Sequence, residues 1–389
     1  MTPAGWRGPL AVAYVVTFLT FFDTFALLPV MGPRAAEVGA GPVMLGAVVG
    51  AYSLSNLVTN PLAGVLLDHF PRGRLLTIGL TIAAVGVASY PLASSPAELL
   101  AVRLLHGVGG GVIVPAVFSL VGDYSSGSGR ARAMGRTGAA IGTAAIVGPP
   151  TAGLLVAEIG FSGLTSLIAA VLVVALILSA RGLPVSDAGA GPDRAHTAAN
   201  IDRRRLLRAI TGVFGLTFAV GGLSAFLPFR VEALGASPAV TGALLGLFAA
   251  VAAALMLSPL ADQTRAASAA RPLGLGLLTL AAALTGLAWT PTVPLAAAAS
   301  ALFGVGFALV FPTAATEAST AAPGSRRGRA FGMFHAVYSL GIVVGPVAAG
   351  AAVSAGSSPF SSGIAVTLLC AAGVLSLSAH GAAGGRRAR

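Results

Sequence analysis

Apolar residues run almost unbroken for about 20 positions at a time along this chain, and short segments holding Arg, Gly, Pro and Ser punctuate the runs. One helix crosses a bilayer core with roughly 20 mostly apolar residues. Runs of about that length lie at approximately 9–30, 43–66, 75–94, 97–121, 134–157, 163–181, 207–229, 239–261, 273–290, 293–316, 330–353 and 361–379. The pattern therefore predicts an all-α membrane protein with twelve spans. Continuous runs, as opposed to short alternating segments, exclude a transmembrane β-barrel. The first run is too long for a signal peptide, contains Asp23 and is preceded only by Arg7, so it is read as the first span.

Composition agrees. Of 389 residues, 56% are hydrophobic and 9% charged, with a mean hydropathy of +0.90. A soluble chain carries about 25% charged residues, so this one cannot cover a surface in water. The 23 basic residues are all Arg, against 12 acidic ones, for a net charge of +11. Nucleic-acid binding would gather that charge on one polar face with interleaved aromatics. Here it sits in the gaps between apolar runs. Assigning alternate gaps to the cytoplasm places 20 of the 23 Arg inside, leaving Arg34 and Arg230 outside and Arg103 within a span. The positive-inside rule then puts both termini in the cytoplasm. An Ala-, Gly- and Arg-rich, Lys-free composition points to a GC-rich bacterial genome, hence an inner membrane. The single Cys370 excludes disulfides and cysteine metal clusters, and no metal site or cofactor is expected.

The polar interval 182–206 separates six runs from six, giving bundles at 1–181 and 207–389 joined by a cytoplasmic linker, with Arg203, Arg204, Arg205 and Arg208 placed to meet anionic lipid headgroups. The halves resemble each other. Arg130-Ala-Arg-Ala-Met-Gly135 aligns with Arg327-Gly-Arg-Ala-Phe-Gly332, Gly148-Pro149 with Gly345-Pro346, and Gly107 and Pro115 with Gly304 and Pro312, all at an offset of 197. Leu28-Pro29 aligns with Leu227-Pro228, and Pro42, Gly46 and Gly50 with Pro238, Gly242 and Gly246. Parallel six-helix repeats describe a secondary transporter more readily than a channel or a membrane enzyme.

Gly64-Val-Leu-Leu-Asp68-His-Phe-Pro71-Arg72-Gly-Arg74 follows the second run, and a degenerate copy, Ser258-Pro-Leu-Ala-Asp262-Gln-Thr-Arg265, follows the eighth. The first resembles the G-x-L-x-D-x-x-G-R-R/K signature of the major facilitator superfamily, with Pro71 and Gly73 departing from it. The resemblance extends over essentially the whole chain. It implies a conformational latch of Asp68, Arg72 and Asp123; the plainer alternative is a solvated loop carrying orientation charges.

Three spans carry further matches, all resembling the drug:proton antiporter branch. Gly135, Ala144, Gly148-Pro149 and Gly153 in the fifth span resemble G-x8-G-x3-G-P-x2-G-G, with Ala144 and Ala152 replacing two glycines. Ordinary small-residue packing explains these positions equally, and Gly345-Pro346 repeats the dipeptide. Arg103-Leu-Leu-His106-Gly107-Val-Gly109 in the fourth span resembles R-x-x-Q-G-x-G, with His106 for Gln. A buried Arg costs roughly 2.5–3.5 kcal/mol to insert, so Arg103 either finds interior partners or snorkels to the outer interface. His106 either joins it or donates to a backbone carbonyl. Asp23, before Leu28-Pro29 in the first span, is the acid set well inside a run, where the other half has Gly222. Desolvation favours the protonated form of a lone carboxylate. Asp23 therefore suits a site where proton and substrate compete, with Arg103 tuning it; otherwise it is a neutral Asp bonded to its own helix.

Asn56 and Asn60 share a helix face and either read a polar substrate group or join helix to helix. Phe25 and Phe226, with Phe21, Phe22 and Phe229, line a cavity or face lipid, and Tyr338 joins the cavity candidates beside His335. Glu317 and His335 sit near the cytoplasmic side. Without Lys there is no phosphate loop, and nothing suggests an enzyme. The expectation is a monomeric, alternating-access transporter that couples protons to efflux of small lipophilic or cationic compounds. A metabolite transporter of the same fold and a lipid translocase are the alternatives.

Overall fold

A computed structural model describes residues 8–125, 129–183, 201–258, 269–322 and 327–386. Asp262, Arg265, the linker core at 184–200, and Arg7, Arg194, Arg326, Arg387 and Arg389 lie outside the described residues. Among the described residues the chain is helical, without strands. In order the helices are α1 (Pro9–Ala26), α2 (Leu28–Glu37), α3 (Pro42–Leu67), α4 (Arg72–Ser89), α5 (Pro96–Asp123), α6 (Gly129–Gly182), α7 (Arg203–Ala233), α8 (Pro238–Leu257), α9 (Ala270–Trp289), α10 (Val293–Thr320), α11 (Arg327–Ser354) and α12 (Ser361–Arg386).

Eleven helical stretches among the described residues are long and apolar enough to cross a membrane, with α1 and α2 forming one of them. The count differs from the twelve runs in the sequence because α6 holds two helices in succession, joined across a kink at Gly160, where the sequence shows the runs 134–157 and 163–181. Its 54 residues are enough for two crossings of a bilayer core. Its helical geometry fails at one position, Gly160, where φ is 67° and ψ 177°. An L side chain disfavours that conformation, and glycine adopts it freely.

Contacts gather the chain into two compact units. One comprises residues 1–40, 51–192 and 237–246; the other comprises 41–50, 193–236 and 247–389. In the first, α1 packs on α6 and α4 on α5; in the second, α7 packs on α11 and α9 on α10. The sequence repeat is therefore a repeat of packing. Gly79 and Gly109 bring α4 and α5 into backbone contact, and Gly276 and Gly306 do the same for α9 and α10.

The first turns of α3 and α8 pack in the unit made mostly from the other half, so the units are not the plain bundles 1–181 and 207–389. Glycine permits it. A Cβ on Gly46 would collide with the Pro346 carbonyl, and one on Gly242 with the Pro149 carbonyl. Pro149 and Pro346 thus take equivalent places in the two units. Gly148 packs on α1 at Phe22, Phe25 and Ala26, Gly345 on α7 at Phe218, and Gly153 against Pro238. Gly135 has no neighbour this close.

Arg34 and Arg230 also have equivalent places. Arg34 donates to the Ala93 carbonyl at 3.0 Å, and Arg230 donates to the Thr290 carbonyl, each capping the end of a neighbouring helix.

Overpacking costs typically 1–3 kcal/mol. Gly242→Ala should therefore lower the thermal unfolding temperature in detergent by several degrees. Gly138→Ala, where added bulk meets open space, should leave it unchanged.

Candidate functional site

Ser95 starts α5. Its hydroxyl accepts from the Glu98 amide at 3.3 Å while the Glu98 carboxylate accepts from the Ser95 amide at 3.2 Å, a reciprocal cap that fixes where the helix begins. Two turns on, Arg103 points inward. Its side chain is 2% exposed, so it does not snorkel to the interface. His106 is fully buried one turn later.

Small residues let the neighbours of α5 close in. Gly107 meets the Tyr52 backbone and Gly110 the Tyr52 hydroxyl, while Gly86 on α4 lies against His106. Tyr52 and Tyr90 therefore flank the imidazole, with centroid separations of 4.9 Å and 5.8 Å. From α1 comes Asp23, 2% exposed, in the stretch against which Gly148 packs.

The polar atoms form one chain. An Arg103 Nη1 hydrogen goes to the Tyr90 hydroxyl at 3.1 Å; that hydroxyl lies 2.9 Å from His106 Nδ1, and His106 Nε2 lies 2.8 Å from Asp23 Oδ2. The direction follows from the donors. Guanidinium has no acceptor, so the Tyr90 oxygen accepts from Arg103 and its own hydrogen is free for Nδ1. Nδ1 then accepts, Nε2 carries the ring hydrogen, and Asp23 receives it as a carboxylate. Positive Arg103 and negative Asp23 thus balance across two neutral groups.

Tyr52 supports both ends. Its ring lies 5.1 Å from the Arg103 guanidinium carbon, a cation–π contact worth up to about 2 kcal/mol when desolvated, and its hydroxyl is 3.1 Å from Thr24 Oγ1, next to Asp23. Two atoms in the cluster are buried without a partner: Asp23 Oδ1 and Arg103 Nε. The Asp23 carboxylate thus has one oxygen bonded and one bare.

The second unit builds the same scaffold in hydrocarbon. Phe248 and Phe303 stand where Tyr52 and His106 do, edge to face at 5.4 Å, and Gly304 meets the Phe248 backbone as Gly107 meets that of Tyr52. Leu287 replaces Tyr90, Ser300 replaces Arg103 and Gly222 replaces Asp23. The packing does not need the polar cluster.

Among the other candidates, Arg72 and Asp123 form an ion pair at the opposite end of α5. Asp68 is exposed and makes no ion pair among the described residues, so the three proposed latch residues do not come together. Asn56 and Asn60 on α3 each have a buried carbonyl oxygen without a partner; that of Asn56 lies near Gly111 of α5. Phe25 is half-buried against Phe21, whereas Phe226 is packed at 4% exposure beside Phe229. Tyr338 closes a run of rings through Phe311, Phe307 and Phe248, and His335 adjoins it. Glu317 is bound by Arg208 at 2.6 Å and 3.0 Å. Sequence reasoning missed Tyr52 and Tyr90, though each is a polar residue whose repeat counterpart is apolar.

With this geometry established, the chain was compared with known proteins. The family model described as Major Facilitator Superfamily matches residues 13–346, and again 209–385. The chain belongs to the major facilitator superfamily. It is a multi-pass membrane protein. Relatives include multidrug resistance protein 2 of Bacillus subtilis, 31% identical over 36% of this chain and 34% of that protein. Multidrug transporter protein MdtP of the same organism is 31% identical over 53% and 37%. Quinolone resistance protein NorA of Staphylococcus aureus is 27% identical over 43% and 44%. The matches thus span about a third to under half the length of these relatives.

Solved structures share the fold. A bacterial homologue of the lysosomal transporter Spinster, inward-facing and occupied, aligns at TM-score 0.78 and 17% identity over 95% of this chain and 96% of that one. The nucleoside transporter NupG aligns at TM-score 0.78 and 13% identity over 95% and 100%.

Buried ionic groups often stabilise no better than apolar residues of similar size. The triple variant D23G/R103S/H106F, carrying the second unit's residues, should therefore unfold in detergent at a temperature no lower than the wild type. Arg103→Ser alone, which strips Tyr90 of its donor and leaves the Asp23 charge unbalanced, should cost about 1–3 kcal/mol.

Proposed function

We propose that the protein is a proton-coupled antiporter that exports small lipophilic or cationic compounds by alternating access, with Asp23 as the carboxylate for which proton and substrate compete. The observation that carries this reading is the asymmetry at Asp23: Oδ2 is held by His106 and Oδ1 is buried without a partner. The bare oxygen is the atom on which a proton or an approaching cation would bind. His106, Tyr90 and Arg103 hold the carboxylate in place and balance its charge when it ionises.

The partial matches to multidrug transporters favour lipophilic compounds as cargo. The chain would cross the membrane twelve times, with the break at Gly160 dividing α6 into two spans. Both termini would lie in the cytoplasm of a bacterial inner membrane, where exposed Arg meet anionic lipid, and the protein would act as a monomer. The Arg72–Asp123 pair would favour one end state of the cycle, joined by Asp68 if the latch closes further. Asn56, Asn60, Phe25 and Tyr338 remain candidates for the substrate surface, and Phe226, being packed, for a supporting position.

Proteoliposomes loaded with a pH-sensitive dye and challenged with tetraphenylphosphonium, ethidium and similar cations provide the test. Substrate should trigger proton movement in the wild type and none in Asp23→Asn. Movement that survives the substitution would remove Asp23 from the mechanism. Its absence in folded wild type would replace the drug reading with the metabolite one.

A further inference from the structure

A cavity of about 570 Å³ opens at the end of the first unit away from the Arg72–Asp123 pair. Pro33, Arg34, Glu37, Ile159, Phe161 and Pro238 are among its lining residues. Its two charged groups bond to each other, Arg34 Nη1 to Glu37 Oε2 at 3.2 Å, so the mouth carries little net charge and does not repel a hydronium ion. Phe161 follows the break at Gly160 and lines the cavity. Its ring lies 5.2 Å from the Arg34 guanidinium carbon on the cavity side, and its centroid is 6.2 Å from that of Tyr90. Tyr90 is fully buried. One aromatic ring therefore lines the crevice and packs against Tyr90, whose hydroxyl is the first of the chain that ends at Asp23.

We propose that this crevice is a proton port to Asp23, with Phe161 as its barrier and Tyr90 as its entry residue. The inference rests on Asp23 being the coupling carboxylate. The route balances proton by proton. When Phe161 turns aside, water in the crevice gives a proton to the Tyr90 oxygen as the Tyr90 hydroxyl proton passes to His106 Nδ1. The Nε2 proton of His106 passes to Asp23 Oδ2. The net result is a neutral Asp23, a neutral His106 with its hydrogen on Nδ1, an intact tyrosine and a hydroxide left in the crevice for bulk water to neutralise. Arg103, fixed on the Tyr90 oxygen, keeps that oxygen from holding the extra proton as a cation. The second unit has Leu287 and Phe303 at the matching positions, so it lacks such a path.

The test is the rate at which dye-loaded proteoliposomes acidify after an external pH drop, without substrate. Phe161→Ala should raise that rate several-fold over wild type, and adding Tyr90→Phe in the double variant should return it to the wild-type rate. Phe161→Cys, made with Cys370→Ala, should also leak, and reaction with benzyl methanethiosulfonate, which restores a ring, should close the leak. A wild-type rate in both Phe161 variants, with substrate-driven proton movement intact, would overturn the port. So would a leak that persists without the Tyr90 hydroxyl. Loss of substrate-driven movement in the wild type itself would instead refute the coupling role of Asp23.

Discussion

A charge buried inside a helical bundle has no water to solvate it, so its neighbours must supply every partner. Arg103 sets that demand in the first unit. Its guanidinium can only donate, which makes Tyr90 an acceptor, which turns the Tyr90 hydrogen toward His106, which leaves the imidazole hydrogen for Asp23. Four residues on three elements are thereby joined in one hydrogen-bonded chain that begins at one cation. The glycines of α4 and α5 follow from the same demand, since Tyr52 and Tyr90 reach His106 only where Gly86, Gly107 and Gly110 give room.

The repeat provides an internal control. Phe248 and Phe303 reproduce the aromatic geometry of Tyr52 and His106 without a hydrogen bond between them. A fold that can be built from phenylalanine has no structural reason to bury an arginine, a histidine and an aspartate. The cost of leaving Asp23 Oδ1 and Arg103 Nε unpartnered makes the contrast sharper, because buried unsatisfied polar atoms destabilise.

Much of this was legible in the sequence, for physical reasons. Run length gives the membrane-crossing elements because hydrocarbon thickness is fixed, and the offset of 197 gives the repeat that the packing shows. Asp23, Arg103 and His106 stood out because charge in an apolar run is rare. Their connection did not, because Tyr90 lies at the far end of a different helix and only the fold brings it to His106. The exchange of the first turns of α3 and α8 was equally invisible: Gly46 and Gly242 signal close approach but do not name the partner. Nor did loop spacing show that Arg72 pairs with Asp123 while Asp68 faces outward. The kink in α6, by contrast, was legible, since the apolar runs at 134–157 and 163–181 fall on either side of Gly160.

The central claim is that Asp23 gives up a proton when substrate binds, and infrared difference spectroscopy on the purified protein addresses it directly. Adding tetraphenylphosphonium should remove the carbonyl stretch of a protonated carboxylic acid and add carboxylate bands, and Asp23→Asn should abolish both changes. A difference spectrum in which the acid band stays unchanged on substrate binding, or changes equally in Asp23→Asn, would contradict the account.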